Sequence, residues 1–164
     1  MNRQTINTAE RGVATLEFAL TAAFFFLMLV VVIAGGLLFF TRSALVECTR
    51  RSARFAAMQA ATAPAGTVRT TPAGTCDSTG PSLTAIRNVA MNGNAAGTGP
   101  KLVPSLQPSN ICVEYSAFGV GAGTVSVSIT GYTYHFLVPG INLQIIMPPF
   151  RSTVVGESVG TTPS

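Results

Sequence analysis

One long apolar segment lies near the N-terminus of the chain. Between Phe18 and Phe40 the sequence has no charged residue and no proline, and Thr21 is its only polar residue. A helix over this segment is about 35 Å long at about 1.5 Å per residue, which exceeds the roughly 30 Å hydrocarbon core of a bilayer. The pattern therefore predicts a membrane-spanning helix over residues 18–40.

Two other interpretations of this segment are weaker. A cleaved secretory signal has an apolar core of about 7–15 residues and a small-x-small cleavage site. This segment is longer, and Thr41, Arg42 and Ser43 follow it without such a site. A buried core helix of this length is also disfavoured, because so small a domain could hardly surround it.

Helical sequence continues beyond the apolar segment. No proline occurs before Pro64, so the pattern predicts one long helix over residues 13–61. Residues 62–81 are rich in Ala, Thr, Pro and Gly, which predicts a linker. Ser82 is then a candidate N-cap for a short amphipathic helix that ends at Asn92-Gly93.

Alternation of apolar and polar residues predicts strands in the C-terminal half. Residues 111–115, 143–147 and 152–155 are short strand candidates, and 124–138 is the best one. In that last segment the large residues change parity after Gly131, and a bulge there would return them to one face. The fold class is therefore α+β: a transmembrane helix extended into the periplasm, and a small antiparallel sheet domain with a short helix over 82–156. A flexible tail is expected over 157–164.

Composition narrows the functional classes. The chain has 164 residues, enough for one domain, and only 10% of them are charged. The net charge is +4, but the basic residues form no stripe interleaved with aromatic ones, so we expect no nucleic-acid partner.

The sequence offers no cluster of catalytic or metal-binding residues. His135 is the only histidine, and three scattered cysteines complete no metal site. The glycine-rich stretch 119–123 lacks the lysine and helix of a phosphate loop. We expect no catalytic residues, no metal and no cofactor.

Three cysteines bear on the compartment. Cys76 and Cys112 lie in loop-like and strand-like sequence and form a possible disulfide, which could add a few kcal/mol of stability. Pairings that involve Cys48 stay open on the sequence alone. A disulfide is consistent with an exported domain in an oxidising compartment.

The start of the apolar segment holds the most informative residues. Glu17 directly precedes it, and an ionisable group at membrane depth costs a few kcal/mol unless it is paired. By itself, Glu17 could equally mark the aqueous interface. Gly12 precedes Glu17 by five positions, and a short basic segment with Arg3 and Arg11 precedes Gly12.

This arrangement resembles the processing site of type IV prepilins, in which a membrane aspartyl peptidase cuts after the glycine. The resemblance implies a leader over 1–12, a cut between Gly12 and Val13, and an assembly element of Glu17 and Phe18. The Glu-Phe pair is typical of the tight-adherence (Tad or Flp) branch. Residues 42–56, with their Ala-Arg-aromatic element, and the strand 125–139 resemble TadE-like pseudopilins. Val13 departs from the phenylalanine common in other branches.

The resemblance implies a minor pilin or pseudopilin that supports assembly of a Tad pilus in adhesion, surface attachment or secretion. Its implied partners are a prepilin peptidase, other pilins, the pilus assembly platform and the membrane. Its implied location is the bacterial inner membrane, single-pass, with a cytoplasmic N-terminus and a periplasmic domain, or a pilus after assembly. The charge count around the span does not predict this orientation, because more arginines follow the span than precede it.

Two alternatives belong to other classes. An unprocessed bitopic protein with a periplasmic binding domain would make Gly12 a mere flexible residue and Glu17 an interface acid. A minor pseudopilin of a type II secretion system is disfavoured by Val13 and Phe18.

Overall fold

The computed structural model of the protein describes residues 8–59, 69–80, 82–117, 123–136 and 142–155. Side chains of the first helix are described from residue 12 onward. Several predicted features lie partly or wholly outside these ranges: residues 1–7 of the leader, the end of the long helix at 60–61, residues 62–68 of the linker, most of the 119–123 connection, the end of the 124–138 strand at 137–138, and the tail 157–164.

Helix α1 runs without interruption from Thr8 to Met58. The helix thus begins inside the predicted leader and includes Gly12. It is continuous because no proline interrupts this part of the chain. From Ala34 onward, one face of α1 is covered by the folded domain. Two turns after Ala34, buried positions recur three or four residues apart, the spacing of one helical face: Thr41, Leu45, Cys48, Ser52 and Ala56.

Helix α2 spans Leu83–Asn92 and packs on the distal half of α1. Its apolar face is buried, and Gly93 ends it in the left-handed conformation (φ 79°) with its N–H bonded to the carbonyl of Val89. The short amphipathic helix predicted from sequence is thus confirmed. Ser82 occupies the N-cap position but makes no side-chain capping hydrogen bond.

The strands of the described residues form two antiparallel sheets. They are β1 Ile111–Ser116, β2 Thr124–Ile129, β3 Thr133–His135, β4 Gln144–Ile146 and β5 Phe150–Val155. The order of the first sheet is β1-β2-β5, and β3 pairs with β4 in the second. Strand β2 is central, and its alternate residues Val125, Val127 and Ile129 are buried against α1, as the alternation predicts.

The bulge predicted at Gly131 is wrong. Gly131 adopts a left-handed conformation (φ 67°) at a turn, and the chain leaves the first sheet there instead of continuing along it. Asn110 holds this turn, since its carbonyl accepts the N–H of Thr130 (2.9 Å) and its side-chain amide donates to the Thr130 carbonyl (3.0 Å). The aromatic residues after the turn consequently belong to a second sheet rather than to one continuous face.

Tyr132 nevertheless joins the core. It is 5% exposed, and its hydroxyl donates to the carbonyl of Pro104 at 2.8 Å. The α1 surface in this core is rich in alanine, which lets the helix backbone approach the sheet closely. The centre of the core is built from Leu45, Ala53, Ala56, Ile86, Leu106, Val113, Val125 and Val127.

Residues 69–77, which the sequence places in a linker, instead cover the outer edge of β1. The N–H of Thr71 donates to the carbonyl of Tyr115 and that of Asp77 to the carbonyl of Val113, both at 2.8 Å. A disulfide joins Cys76 to Cys112 on β1. Covering an edge strand removes a template for unwanted pairing. We refer to residues 69–77 as the edge segment.

Candidate functional site

Gly12 and Val13 lie in the second turn of α1. No atom outside the local helix comes within 4 Å of a side chain built at Gly12, and Val13 is 63% exposed. The hydroxyl of Thr15 donates to the carbonyl oxygen of Gly12 at 2.8 Å. The peptide bond after Gly12 is therefore open to solvent but helical. A peptidase that binds extended chain has to unwind about one turn, which is least costly near a helix end and at glycine.

Glu17 follows Val13 by four residues, so the two lie on the same face, about 6 Å apart along the axis. A new α-amine at Val13 would lie within reach of the Glu17 carboxylate, in the same chain or in a neighbouring helix. Within the described residues no ion pair involves Glu17. Phe18 is 75% exposed.

The apolar part of α1 is exposed rather than packed. Its most apolar window has a mean hydropathy of 2.8 and is only 6% buried, whereas the core helix of a soluble domain is mostly buried. Its exposed side chains include Leu20, Phe24, Phe25, Phe26, Leu27, Met28, Val32 and Phe39. This helix is long and apolar enough to cross a membrane and is compatible with a membrane anchor.

The folded domain limits how far a bilayer could extend along α1. Ala34 is buried and Leu38 packs against the core, although both belong to the predicted span 18–40. The part of α1 without a buried face, from Val13 to Ile33, is about 31 Å long. That length matches a hydrocarbon core of about 30 Å, and it includes Glu17.

Cys48 is separate from the disulfide and faces the core. It is 2% exposed, and burial raises the pKa of its thiol, although the nearby Arg51 acts in the opposite direction. Burial keeps this thiol neutral and out of reach of solutes.

His135 is exposed on β3. Across the described ranges, no three His, Cys, Asp or Glu side chains are grouped so that they could hold a metal ion.

The structure thus combines a long exposed apolar helix, with glycine and glutamate five positions apart near its start, and a small α+β domain that follows it. The family described as TadE-like protein matches residues 12–54. This match confirms the TadE-like resemblance over residues 12–54 of α1, about a quarter of the chain, and it begins at Gly12. TadE-like proteins form a structural rather than an enzymatic family. No curated protein and no solved structure matches the chain.

The sequence pattern did not predict the edge segment. It also did not predict the surface of α1 that carries Arg50, Arg51 and Arg54. The composition of residues 69–77 is that of a loop, and only the three-dimensional pairing with β1 shows its role. One signal was available: Arg69 and Asp77 are opposite charges in an otherwise uncharged stretch. Such isolated charges often pair with each other when a segment is partly buried.

Proposed function

We propose that this protein is a minor pilin or pseudopilin of a Tad-type pilus apparatus, cut by a prepilin peptidase after Gly12. The observation that carries the proposal is that the start of the family match, the unburied apolar part of α1 and the position of Glu17 all fall in the N-terminal half of this helix. The TadE-like match begins at Gly12, no side chain from Val13 to Ile33 is buried, and Glu17 lies inside that unburied part. A helix that is apolar on all sides packs either against lipid or against other such helices.

In this proposal the bilayer surrounds α1 up to the level at which the domain begins to cover Ala34. Glu17 lies about 26 Å before Ala34 along the helix axis, inside a hydrocarbon core of about 30 Å. A carboxylate at that depth needs a partner, and the α-amine that cleavage creates at Val13 is a suitable one. Cleavage then couples maturation to lateral packing of helices.

The disulfide supports export of the folded domain. Cys76 and Cys112 form a bond that persists in oxidising compartments, such as the periplasm. We therefore place the domain on the periplasmic side of the inner membrane and the N-terminus in the cytoplasm.

The proposal is tested by measuring the intact mass and the N-terminal sequence of the protein isolated from membranes of cells with and without the prepilin peptidase. A chain that begins at Val13 only when the peptidase is present supports the proposal. An intact leader in both samples overturns it and leaves an unprocessed bitopic protein with a binding domain.

A further inference from the structure

A cleft of about 470 Å³ opens between the distal part of α1 and the C-terminal end of α2. Its α1 wall carries Arg50, Arg51 and Arg54, and Glu47 is the only acidic residue in its lining. Phe55, Met58 and Val89 supply an apolar floor. The cleft thus combines a net positive rim with apolar surface, and Met58 is 62% exposed in it.

The three arginines are not equivalent. Arg51 is used within the fold: its guanidinium lies 3.4 Å from Glu47 and beside Gly93, where the C-terminal end of α2 is partially negative. Arg50 and Arg54 are exposed, four residues apart on one face of α1. Within the described residues neither has an acidic partner. Two cations without counter-charges beside an apolar floor suit a ligand that brings carboxylates together with an apolar group.

We propose that this cleft docks a carboxylate-bearing segment of another protein, with the carboxylates on Arg50 and Arg54 and an apolar side chain against Phe55 and Met58. The inference uses the membrane placement of α1 from the proposed function but not the processing after Gly12. An unprocessed protein would therefore leave it standing.

Lipid headgroups do not suit this cleft. In the proposed function the bilayer ends at the level of Ala34; Arg50 and Arg54 follow Ala34 by sixteen and twenty residues, so they stand about 24 and 30 Å beyond it. The headgroup layer of one leaflet is only about 5–8 Å thick.

A second copy of this chain also lacks a suitable partner group in the part of the chain that the structure describes. Its Glu47, Asp77 and Glu114 already face Arg51, Arg69 and Arg151. Glu17 is free of such a pair, but it lies about 50 Å from Arg50 along α1. Charge complementarity therefore favours a different, acidic protein.

The test uses the full chain, isotope-labelled, in nanodiscs of zwitterionic lipid. The probe is a blocked peptide in which two glutamates flank a phenylalanine, and its matched control has glutamine in place of both glutamates. We expect the acidic peptide to shift the backbone amide signals of Gly93, Asn94 and Ala95 at millimolar concentration. We expect the glutamine peptide to shift them at least several-fold less.

The double variant Arg50→Gln and Arg54→Gln should abolish the shifts, whereas Arg42→Gln, an exposed arginine outside the cleft, should retain them. Unchanged signals from β1, β2 and β5 verify that each variant is folded. Equal shifts from both peptides, or undiminished shifts in the double variant, overturn the proposal. Two further results would also overturn it: the same signals shifting on addition of anionic lipid alone, or concentration-dependent self-association that the double variant abolishes.

Discussion

At the residue scale, Gly12 is a position where the helix has room for a larger side chain but the proposed peptidase should reject one. A Cβ atom added at Gly12 meets no atom outside the local helix within 4 Å, so Gly12→Leu should leave helix formation and membrane insertion intact. We expect it to block maturation, because a large side chain obstructs a narrow peptidase cleft that accepts glycine. The measurement is the fraction of cleaved chain by intact mass. Gly36→Leu is the matched control, because Gly36 is equally uncrowded in the same helix and should be processed normally.

Glu17 is the residue on which we expect helix assembly to depend. Glu17→Ala should reduce incorporation into pili about tenfold or more, since a lost pairing of only about 1.4 kcal/mol is already a factor of ten. Membrane insertion should persist, because the apolar segment is unchanged. The readout is the ratio of sheared-pilus to membrane protein by immunoblot. Glu47→Ala, which removes an exposed acid from the same helix, is the control, and normal piliation in Glu17→Ala would refute the assembly role.

Cys48 shows how burial governs a side chain's chemistry. Because burial raises the pKa of its thiol, little thiolate forms at neutral pH, and the buried sulfur is also sterically inaccessible. We expect iodoacetamide to label Cys48 at least tenfold more slowly in the folded protein than in denaturant, because labelling requires local opening. Mass spectrometry of the alkylated peptide measures this. Equal rates in the two conditions would mean that the α1 face around Cys48 is not packed as described.

At the element scale, the edge segment is held to β1 by charge as well as by the disulfide. The Asp77 carboxylate accepts two hydrogen bonds from Arg69, at 2.9 and 2.5 Å, and the Arg69 guanidinium lies 5.2 Å from the Tyr115 ring centre. The Asp77 side chain is only 5% exposed and that of Arg69 19%. Removing one partner of such a pair leaves the other charge poorly solvated.

Asp77→Asn should therefore lower the free energy of unfolding of the domain by about 3 kcal/mol. The chain has no tryptophan, so tyrosine fluorescence during denaturant unfolding reports on the domain, where all three tyrosines lie. Glu114→Gln is the control, because it breaks the more exposed pair with Arg151 and should cost at most about 1 kcal/mol. Equal losses in the two variants would show that the edge segment is not stabilised by the buried charge pair.

At the scale of the whole molecule, α1 belongs to two environments at once. From Val13 to Ile33 none of its side chains is buried, and its second part supplies one wall of the core through small side chains. The covered face begins at Ala34, before the apolar residues on the opposite face end at Phe40. The folded domain therefore covers the last residues of the apolar segment. In the proposed membrane placement, the domain lies directly against the bilayer surface.

The stability of the whole domain should fall at alkaline pH. Burial raises the pKa of Tyr115 and of Tyr132 above the ordinary value of about 10, because ionised phenolates are poorly solvated in the core. Each raised pKa means that the folded state favours the neutral phenol. The resulting stability is complete below about pH 10 and is lost as pH rises through the folded values.

Tyrosinate absorbance and denaturant unfolding over this range check the prediction. In Tyr132→Phe the decline should be shallower, since one of the ionising groups is gone. The same variant loses the 2.8 Å bond to Pro104 and should be less stable at neutral pH. A decline in stability as steep as in the native protein would mean that Tyr132 does not contribute.

The sequence by itself determined the elements whose signal is local. The apolar segment, the spacing of Gly12 and Glu17, the short helix ending at Gly93 and the alternation in β2 could all be read from neighbouring residues. A helix or a strand follows from hydrophobic periodicity, and the TadE-like resemblance rested on short segments: the residues around Gly12 and Glu17, 42–56 and 125–139. The processing and assembly roles of Gly12, Val13, Glu17 and Phe18 stay predictions.

Only the tertiary structure decided which partner buries the apolar face of each helix and strand. Periodicity shows which side of an element is apolar but not which partner buries it, so it could not choose a turn over a bulge at Gly131. Nor could it pair Cys76 with Cys112 while Cys48 faces the core. The edge segment and the arginine-lined cleft arise from residues distant in sequence, whose contacts depend on how α1, α2 and the sheet pack together.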